Sequence, residues 1–159
     1  MRWTMLDSPI GVFTVATDGT SVCGAAFGPV EHADTEPADE GARQAVAELR
    51  AYFAGERTDF DVPVTVPRGS EFERAVWREM TRIPYGETLT YGEVARRVGD
   101  PGAARAVGVA CNRNPIPVVV PCHRIIGAGG KLVGFGGGLD RKIKLLELEA
   151  RVTLQRTWT

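Results

Sequence analysis

The chain has 159 residues, 43% hydrophobic and 25% charged, the composition of an ordinary globular protein with room for one full core or two small domains. The formal net charge of −1 does not by itself point to a nucleic-acid partner. No apolar run approaches the roughly 18 residues of a membrane span, so no membrane partner is expected.

Met1-Arg2-Trp3-Thr4 lacks a signal-peptide core. The three cysteines, Cys23, Cys111 and Cys122, are odd in number and well separated. A cytoplasmic protein with at least one free thiol is therefore expected, rather than a disulfide framework. With His32 and His123 as the only histidines, no standard zinc spacing appears. Charge is unevenly spread. Residues 1–68 carry 5 Arg/Lys and 11 Asp/Glu, and residues 69–159 carry 14 and 9. An acidic half followed by a basic half suggests two domains, with any anionic partner on the second.

In chain order, Met1–Leu6, Gly11–Thr17 and Val22–Phe27 read as strands. Ser8-Pro9 and Asp18-Gly19 supply the turns of a small antiparallel sheet. Cys23 falls in the third strand as a core residue. Residues 29–40 read as an acidic surface loop, with His32 solvated. From about Asp39 to Phe53, Ala42, Val46, Leu49, Tyr52 and Phe53 recur at helical spacing, and Gly55 stops the helix. Thr58–Val66 reads as extended. Residues 67–69, Pro67-Arg68-Gly69, read as a linker between domains at 1–66 and 70–152, with 153–159 as a tail.

The second half opens on a capping box, Ser70 to Glu73, leading a helix whose apolar face is Phe72, Val76, Trp77, Met80 and Ile83. Trp77 reads as core. Thr90 to Glu93 is a second capping box, for a helix that Gly99 ends. Asp100 and Pro101 then suit the N-cap and first position of a helix reaching about Cys111. The pair reads as helix-turn-helix. Gly102, Ala103, Ala104, Ala106, Gly108 and Ala110 make its second helix small-sided, with Arg105 as the one long polar side chain. Residues without reach read base edges poorly, so this helix suits shape and phosphates better than a regulator's sequence readout.

Val118, Val119 and Val120, bracketed by Pro117 and Pro121, suit a buried extended segment. Cys122, His123 and Arg124 follow it. A thiol beside an imidazole and a guanidinium is in a setting that lowers a cysteine pKa and favours the nucleophilic thiolate. From these residues alone, a buried cysteine at the end of a core strand competes equally. Beyond them lies a glycine-rich stretch without the Gly-Lys-Ser/Thr of a P-loop, better suited to close backbone approach to a flat ligand. Asp140 can cap a last helix, with Ile143, Leu145, Leu146 and Leu148 apolar and Arg141, Lys142 and Lys144 adding positive charge.

Several separated stretches resemble, in order, the O6-alkylguanine-DNA alkyltransferases. They are Tyr85-Gly86-Glu87-Thr88 before Thr90-Tyr91, Ala103-Ala104-Arg105-Ala106-Val107-Gly108 before Asn114-Pro115, Pro121-Cys122-His123-Arg124, Gly134-Phe135-Gly136-Gly137-Gly138, and Leu145-Leu146-Glu147-Leu148-Glu149. The resemblance implies an α/β (α+β) fold. A ribonuclease-H-like N-terminal domain, a small antiparallel sheet with a helix, precedes a helical, winged helix-turn-helix-like C-terminal domain. It implies direct-reversal repair, in which Cys122 irreversibly takes the alkyl group from O6-alkylguanine, and by extension O4-alkylthymine, in double-stranded DNA after minor-groove binding and base flipping.

On the resemblance, His123 would take the thiol proton through a water and Glu149 would orient the imidazole. Asn114 would brace the active-site turn, and Tyr91 would donate to the leaving guanine. Arg105, with Ala104 and Ala106 beside it, would enter the duplex and fill the place of the extruded nucleotide. Ile125, Phe135 and Gly136 would read or wall the guanine pocket, with Cys111 in its wall and Lys142 among the DNA-side cations. Where some relatives carry serine after Phe135, this chain has Gly136. The zinc ligands of some relatives are missing. No metal or cofactor is expected, and the free protein is expected to be a monomer, with cooperative loading on DNA left open. The rival readings are a non-catalytic lesion-binding protein, which would lack the acceptor cysteine, a helix-turn-helix regulator, and a cysteine hydrolase, which would turn over.

Overall fold

The structure is a computed structural model and describes residues 1–132 and 137–158. The chain divides into two compact units, Met1–Arg68 with Pro115–Val119, and Gly69–Asn114 with Val120–Thr159. The division is thus not a single cut at residues 67–69. Residues 115–119 group with the first unit, where the Ala25 amide donates to the Pro115 carbonyl at 3.0 Å.

The first unit is a meander, β1 (Arg2–Ser8), β2 (Gly11–Thr17) and β3 (Val22–Phe27), in the order β1-β2-β3. Both pairings are antiparallel, with Arg2 opposite Thr17 and Phe13 opposite Phe27. The loop between β2 and β3 is closed by the Asp18 carboxylate, which accepts from the Thr20 and Ser21 amides and from the Ser21 hydroxyl. Those bonds favour the anion and hold its pKa down at about 2.

Helix α1 (Glu40–Phe53) starts at Asp39, whose side chain accepts from the Ala42 amide. It buries Ala42, Ala45, Val46, Leu49, Tyr52 and Phe53 against β1 and β2. Phe13 at the sheet centre meets the Phe27 and Phe53 rings edge-on, with centroids 5.5 and 5.8 Å apart. Residues 58–66 lie beside β3 without becoming a fourth strand. Only Val64 bridges, to Val22, because Pro63 has no amide to continue a ladder.

Val118 and Val119 are buried, yet they do not form the extended segment that a β-branched run predicts. They make a turn, and Val118 has φ +74. A β-branched residue in the left-handed region is strained by about 1–3 kcal/mol. Here the flanking prolines and the burial of Val118 hold it there.

In the second unit, α2 (Glu71–Thr81), α3 (Tyr91–Arg97) and α4 (Ala104–Asn112) pack against one another. Both capping boxes, Ser70–Glu73 and Thr90–Glu93, are formed reciprocally. Trp77 is 2% exposed and its indole donates to the Ala110 carbonyl at 2.9 Å, tying α2 to α4. Gly69, at φ +129, lies so close to the Trp77 ring that no Cβ fits between them. Helix α4 begins later than its sequence predicts. Asp100 caps nothing, and its carbonyl instead accepts from the Ala103 amide across a turn, with Ala103 as N-cap.

A two-residue parallel pair, β4 (Leu89–Thr90) with β5 (Ile125–Ile126), joins the start of α3 to the segment after Cys122. Helix α5 runs Leu139–Trp158, through the residues that read as a tail, and Asp140 lies in its first turn rather than before it. Its buried face is Lys142, Leu145, Leu148, Glu149 and Val152, while Ile143 is exposed. Among the described residues no helix is long and apolar enough to cross a membrane.

Candidate active site

Pro121 has φ −82 and ψ 69, and the Cys122 amide donates back to the Val120 carbonyl at 2.8 Å. This is an inverse γ-turn, which the fixed φ of proline favours. The same Val120 carbonyl accepts from the Asn114 side-chain amide at 2.8 Å, so Asn114 braces the turn. Cys122, His123 and Arg124 then form one 3-10 turn, all three buried, before β5 begins.

His123 and Arg124 converge on Glu149 of α5. The His123 Nε2 lies 2.7 Å from Glu149 Oε2. Arg124 grips the carboxylate with both edges, Nε to Oε1 at 2.8 Å and Nη2 to Oε2 at 2.9 Å. Its Nη1 donates to the Ile83 carbonyl at 2.8 Å, and its plane lies 5.5 Å from the Tyr85 ring centroid. The Gly86 amide also donates to the carboxylate, 3.1 Å from Oε1. Gly86 has φ +80, and a Cβ there would collide with the Thr153 hydroxyl.

Burial alone would raise the Glu149 carboxyl, but the His123 hydrogen bond and the Arg124 guanidinium outweigh it and hold the group well below the usual carboxylate range. Burial pulls the His123 imidazole below its ordinary value, against the pull of Glu149. With Glu149 ionised and His123 neutral, Nε2 carries the donated proton and Nδ1 is the basic nitrogen.

The thiol does not sit as sequence adjacency predicts. Burial pushes Cys122 above its ordinary pKa, and a hydrogen bond from the Asn114 side chain and the charge of Lys142 only partly offset this. Arg124 does not activate it, because its guanidinium is committed to Glu149, Ile83 and the Tyr85 face. The nearby cation is Lys142. The sequence groups it with Arg141 and Lys144 as positive charge at the start of the last helix, on the DNA side, but the structure buries it completely and sets its Nζ 2.6 Å from the Ile125 carbonyl.

Cys111 of α4 is also buried, and its thiol is pushed well up by burial and by the neighbouring Cys122. Tyr91, half-buried at the start of α3, is raised by burial and by the same two thiols.

Asn114, Cys111, Cys122, His123, Ile125, Lys142, Glu149 and Tyr91 thus gather in one unit around the thiol. Arg105 and Ala106 are exposed on α4, with Ala104 partly exposed. Val109, 58% exposed, shares their face one turn on and was not singled out from the sequence. Phe135 and Gly136 lie outside the described residues. Also missed were the clamp of Arg124 on Glu149 and the burial of Lys142. The available signal was the seven-residue spacing of Lys142 and Glu149, which puts both on the apolar face of one helix.

Residues 71–151 match the 6-O-methylguanine DNA methyltransferase DNA binding domain, and residues 1–66 match the ribonuclease-like domain of the same proteins. The methylated-DNA–protein-cysteine methyltransferase of Mycolicibacterium paratuberculosis is 51% identical over 156 residues, 95% of this chain and 93% of that protein. The protein of the same name from Methanosarcina acetivorans is 47% identical over 94% of this chain and 98% of its own. The crystal structure of Mycobacterium tuberculosis OGT in complex with DNA superposes with a TM-score of 0.87 at 47% identity, covering 96% of this chain and 94% of that one. The chain belongs to the 6-O-methylguanine DNA methyltransferase family.

Proposed function

We propose that this chain is a direct-reversal DNA repair protein, a single-turnover methyltransferase that moves the alkyl group of O6-alkylguanine in duplex DNA onto Cys122 and keeps it. The observation that carries this reading is the closed Glu149–His123 and Glu149–Arg124 network beside a buried thiol, in a unit that also carries a helix-turn-helix.

In the reaction, His123 takes the Cys122 proton from its Nδ1 side through a water, and Glu149 stabilises the imidazolium that forms. The sulfur attacks the alkyl carbon, the bond to O6 breaks, and Tyr91 supplies a proton or hydrogen bond to the leaving guanine. The raised thiol pKa makes this proton transfer necessary, because the resting site holds little thiolate. Asn114 keeps the turn that aims the sulfur.

Helix α4 binds the minor groove with its small face, and Arg105 occupies the stack when the lesion flips out. A stacked base cannot bring its O6-alkyl carbon to a buried sulfur. Ile125 and Cys111 contribute to the pocket. O4-alkylthymine is the second substrate, the free protein is a monomer, and it works in the cytoplasm. Cys122→Ala tests the assignment. It abolishes transfer while the variant still binds alkylated duplex, and loss of both would make Cys122 a structural residue instead.

A further inference from the structure

Helix α3 ends on two exposed arginines, Arg96 and Arg97, against one carboxylate, Glu93. Glu93 is held in the capping box, where it accepts from the Thr90 amide at 3.2 Å. The two arginines are placed differently. Arg96 lies one turn beyond Gly92, and its side chain folds back over that glycine. A Cβ built on Gly92 would find Arg96 Nη1 3.8 Å away and Thr90 Oγ1 4.0 Å away. Glycine at this position leaves the guanidinium its room, and any long side chain there would compete for the same space.

That fold-back brings the charge to the residues around the thiol. Gly92 follows Tyr91, whose ring reaches α4: its Cε1 lies 3.8 Å from where a Cβ on Gly108 would stand. Arg105 is exposed on α4 one turn before Gly108. Thr90, on the other side of Tyr91, pairs with Ile126, four residues past Cys122. Tyr91 therefore joins the helix that carries Arg105 to the turn over which Arg96 lies, beside the segment that follows the acceptor. A nucleotide that leaves the stack takes its sugar with it and bends the backbone on both sides, so its flanking phosphates must be held where the base enters. A guanidinium suits that task, because its fork matches two phosphate oxygens at once.

We propose that Arg96 is a phosphate-binding residue for the extruded nucleotide: its guanidinium, folded over Gly92, holds one backbone phosphate flanking the lesion while Arg105 occupies the vacated place in the stack. The inference deepens the repair reading and rests on the lesion being flipped towards Cys122. The ligand is a phosphodiester, so the contact has no base preference. It acts through affinity and its salt dependence.

The test uses the full chain with Arg96→Ala, Arg96→Lys and Arg97→Ala, and a duplex carrying one O6-methylguanine. The same duplex is also made with a single uncharged methylphosphonate at one or the other phosphate flanking the lesion. Second-order methyl transfer is followed by peptide mapping, and duplex binding by fluorescence anisotropy, over a range of salt concentrations. Transfer from free O6-benzylguanine is the reference. One phosphate contact corresponds to a slope of about 0.9 in log affinity against log salt, or about eightfold at 0.1 M. Arg96→Ala is expected to lose about that much on the ordinary duplex, Arg97→Ala much less, and Arg96→Lys is expected to keep the wild-type slope. One of the two methylphosphonates should bring the wild-type chain down to Arg96→Ala and cost Arg96→Ala nothing further. All three variants should react with free O6-benzylguanine at the wild-type rate.

Equal losses in Arg96→Ala and Arg97→Ala would overturn the proposal, leaving a diffuse positive field, and so would an Arg96→Ala chain that still responds to both methylphosphonates as the wild type does. A matching loss on free O6-benzylguanine would also overturn it, making Arg96 a support of α3. Absence of benzyl transfer in the wild-type chain would instead count against Cys122 as the acceptor, while the anisotropy comparison still decides the role of Arg96.

Discussion

Glu149→Gln removes the charge on which the site converges while nearly keeping the shape of the side chain. Its two oxygens accept from Arg124 Nε and the Gly86 amide on one side, and from His123 Nε2 and Arg124 Nη2 on the other. Glutamine has one oxygen for these donors, and its NH2 faces a donor wherever it turns. Arg124, 7% exposed, is left as a buried cation without its anion. Breaking a buried pair in this way costs about 3–5 kcal/mol, a large share of the roughly 5–15 kcal/mol that stabilises a domain.

Urea unfolding at pH 7, read by tryptophan fluorescence, should show the midpoint fall accordingly. The pH dependence gives a second handle. The folded Glu149 pKa is depressed, so its contribution is complete above the ordinary value near 4.5 and is lost as pH falls below it. His123, also lowered in the folded state, adds a loss of stability below its ordinary value near 6.5. The wild-type chain should therefore lose stability on acidification more steeply than Glu149→Gln. A variant with the wild-type midpoint at pH 7 and the same acid profile would refute the account of the network.

Arg105→Ala should slow repair in duplex DNA far more than reaction with free O6-benzylguanine, and equal losses on both would remove its role in extrusion. Gly69→Ala should destabilise the chain by about 2 kcal/mol, from a strained backbone and a displaced Trp77 ring, a shift readable in thermal melting. Trp77→Phe removes the indole donor to the Ala110 carbonyl, which keeps the Arg113 amide, and should cost about 1 kcal/mol by the same assay. A melting temperature unchanged by either substitution would contradict the packing described.

Much of the fold is legible in the sequence because its signals are local. The capping boxes at Ser70 and Thr90, the N-cap at Asp39 and the turns between the three strands are each dictated by residues a few positions apart. What escapes a local reading is decided by distant partners. The valine run looks extended by propensity, yet burial and two prolines turn it at Val118. Asp100-Pro101 looks like a helix start, but the chain spends those residues on the turn and begins α4 at Ala104.

At the site, Cys122 and His123 are visible as a pair, and the resemblance names Glu149. The neighbourhood of the thiol is not visible. Arg124 is adjacent in sequence and electrostatically taken by Glu149, whereas Lys142, twenty residues away, is buried with its Nζ on the Ile125 carbonyl. Charge in a buried site follows three-dimensional pairing rather than sequence order.

The central claim is that Cys122 is a one-shot alkyl acceptor. Its most direct test is the intact mass of the full chain after incubation with excess duplex carrying a single O6-methylguanine, followed by peptide mapping. The account predicts a gain of one methyl, about 14 mass units, on Cys122, and no second addition however long the incubation, as expected for a stable covalent product without turnover. An unchanged mass, or a methyl found on any other residue, would contradict it.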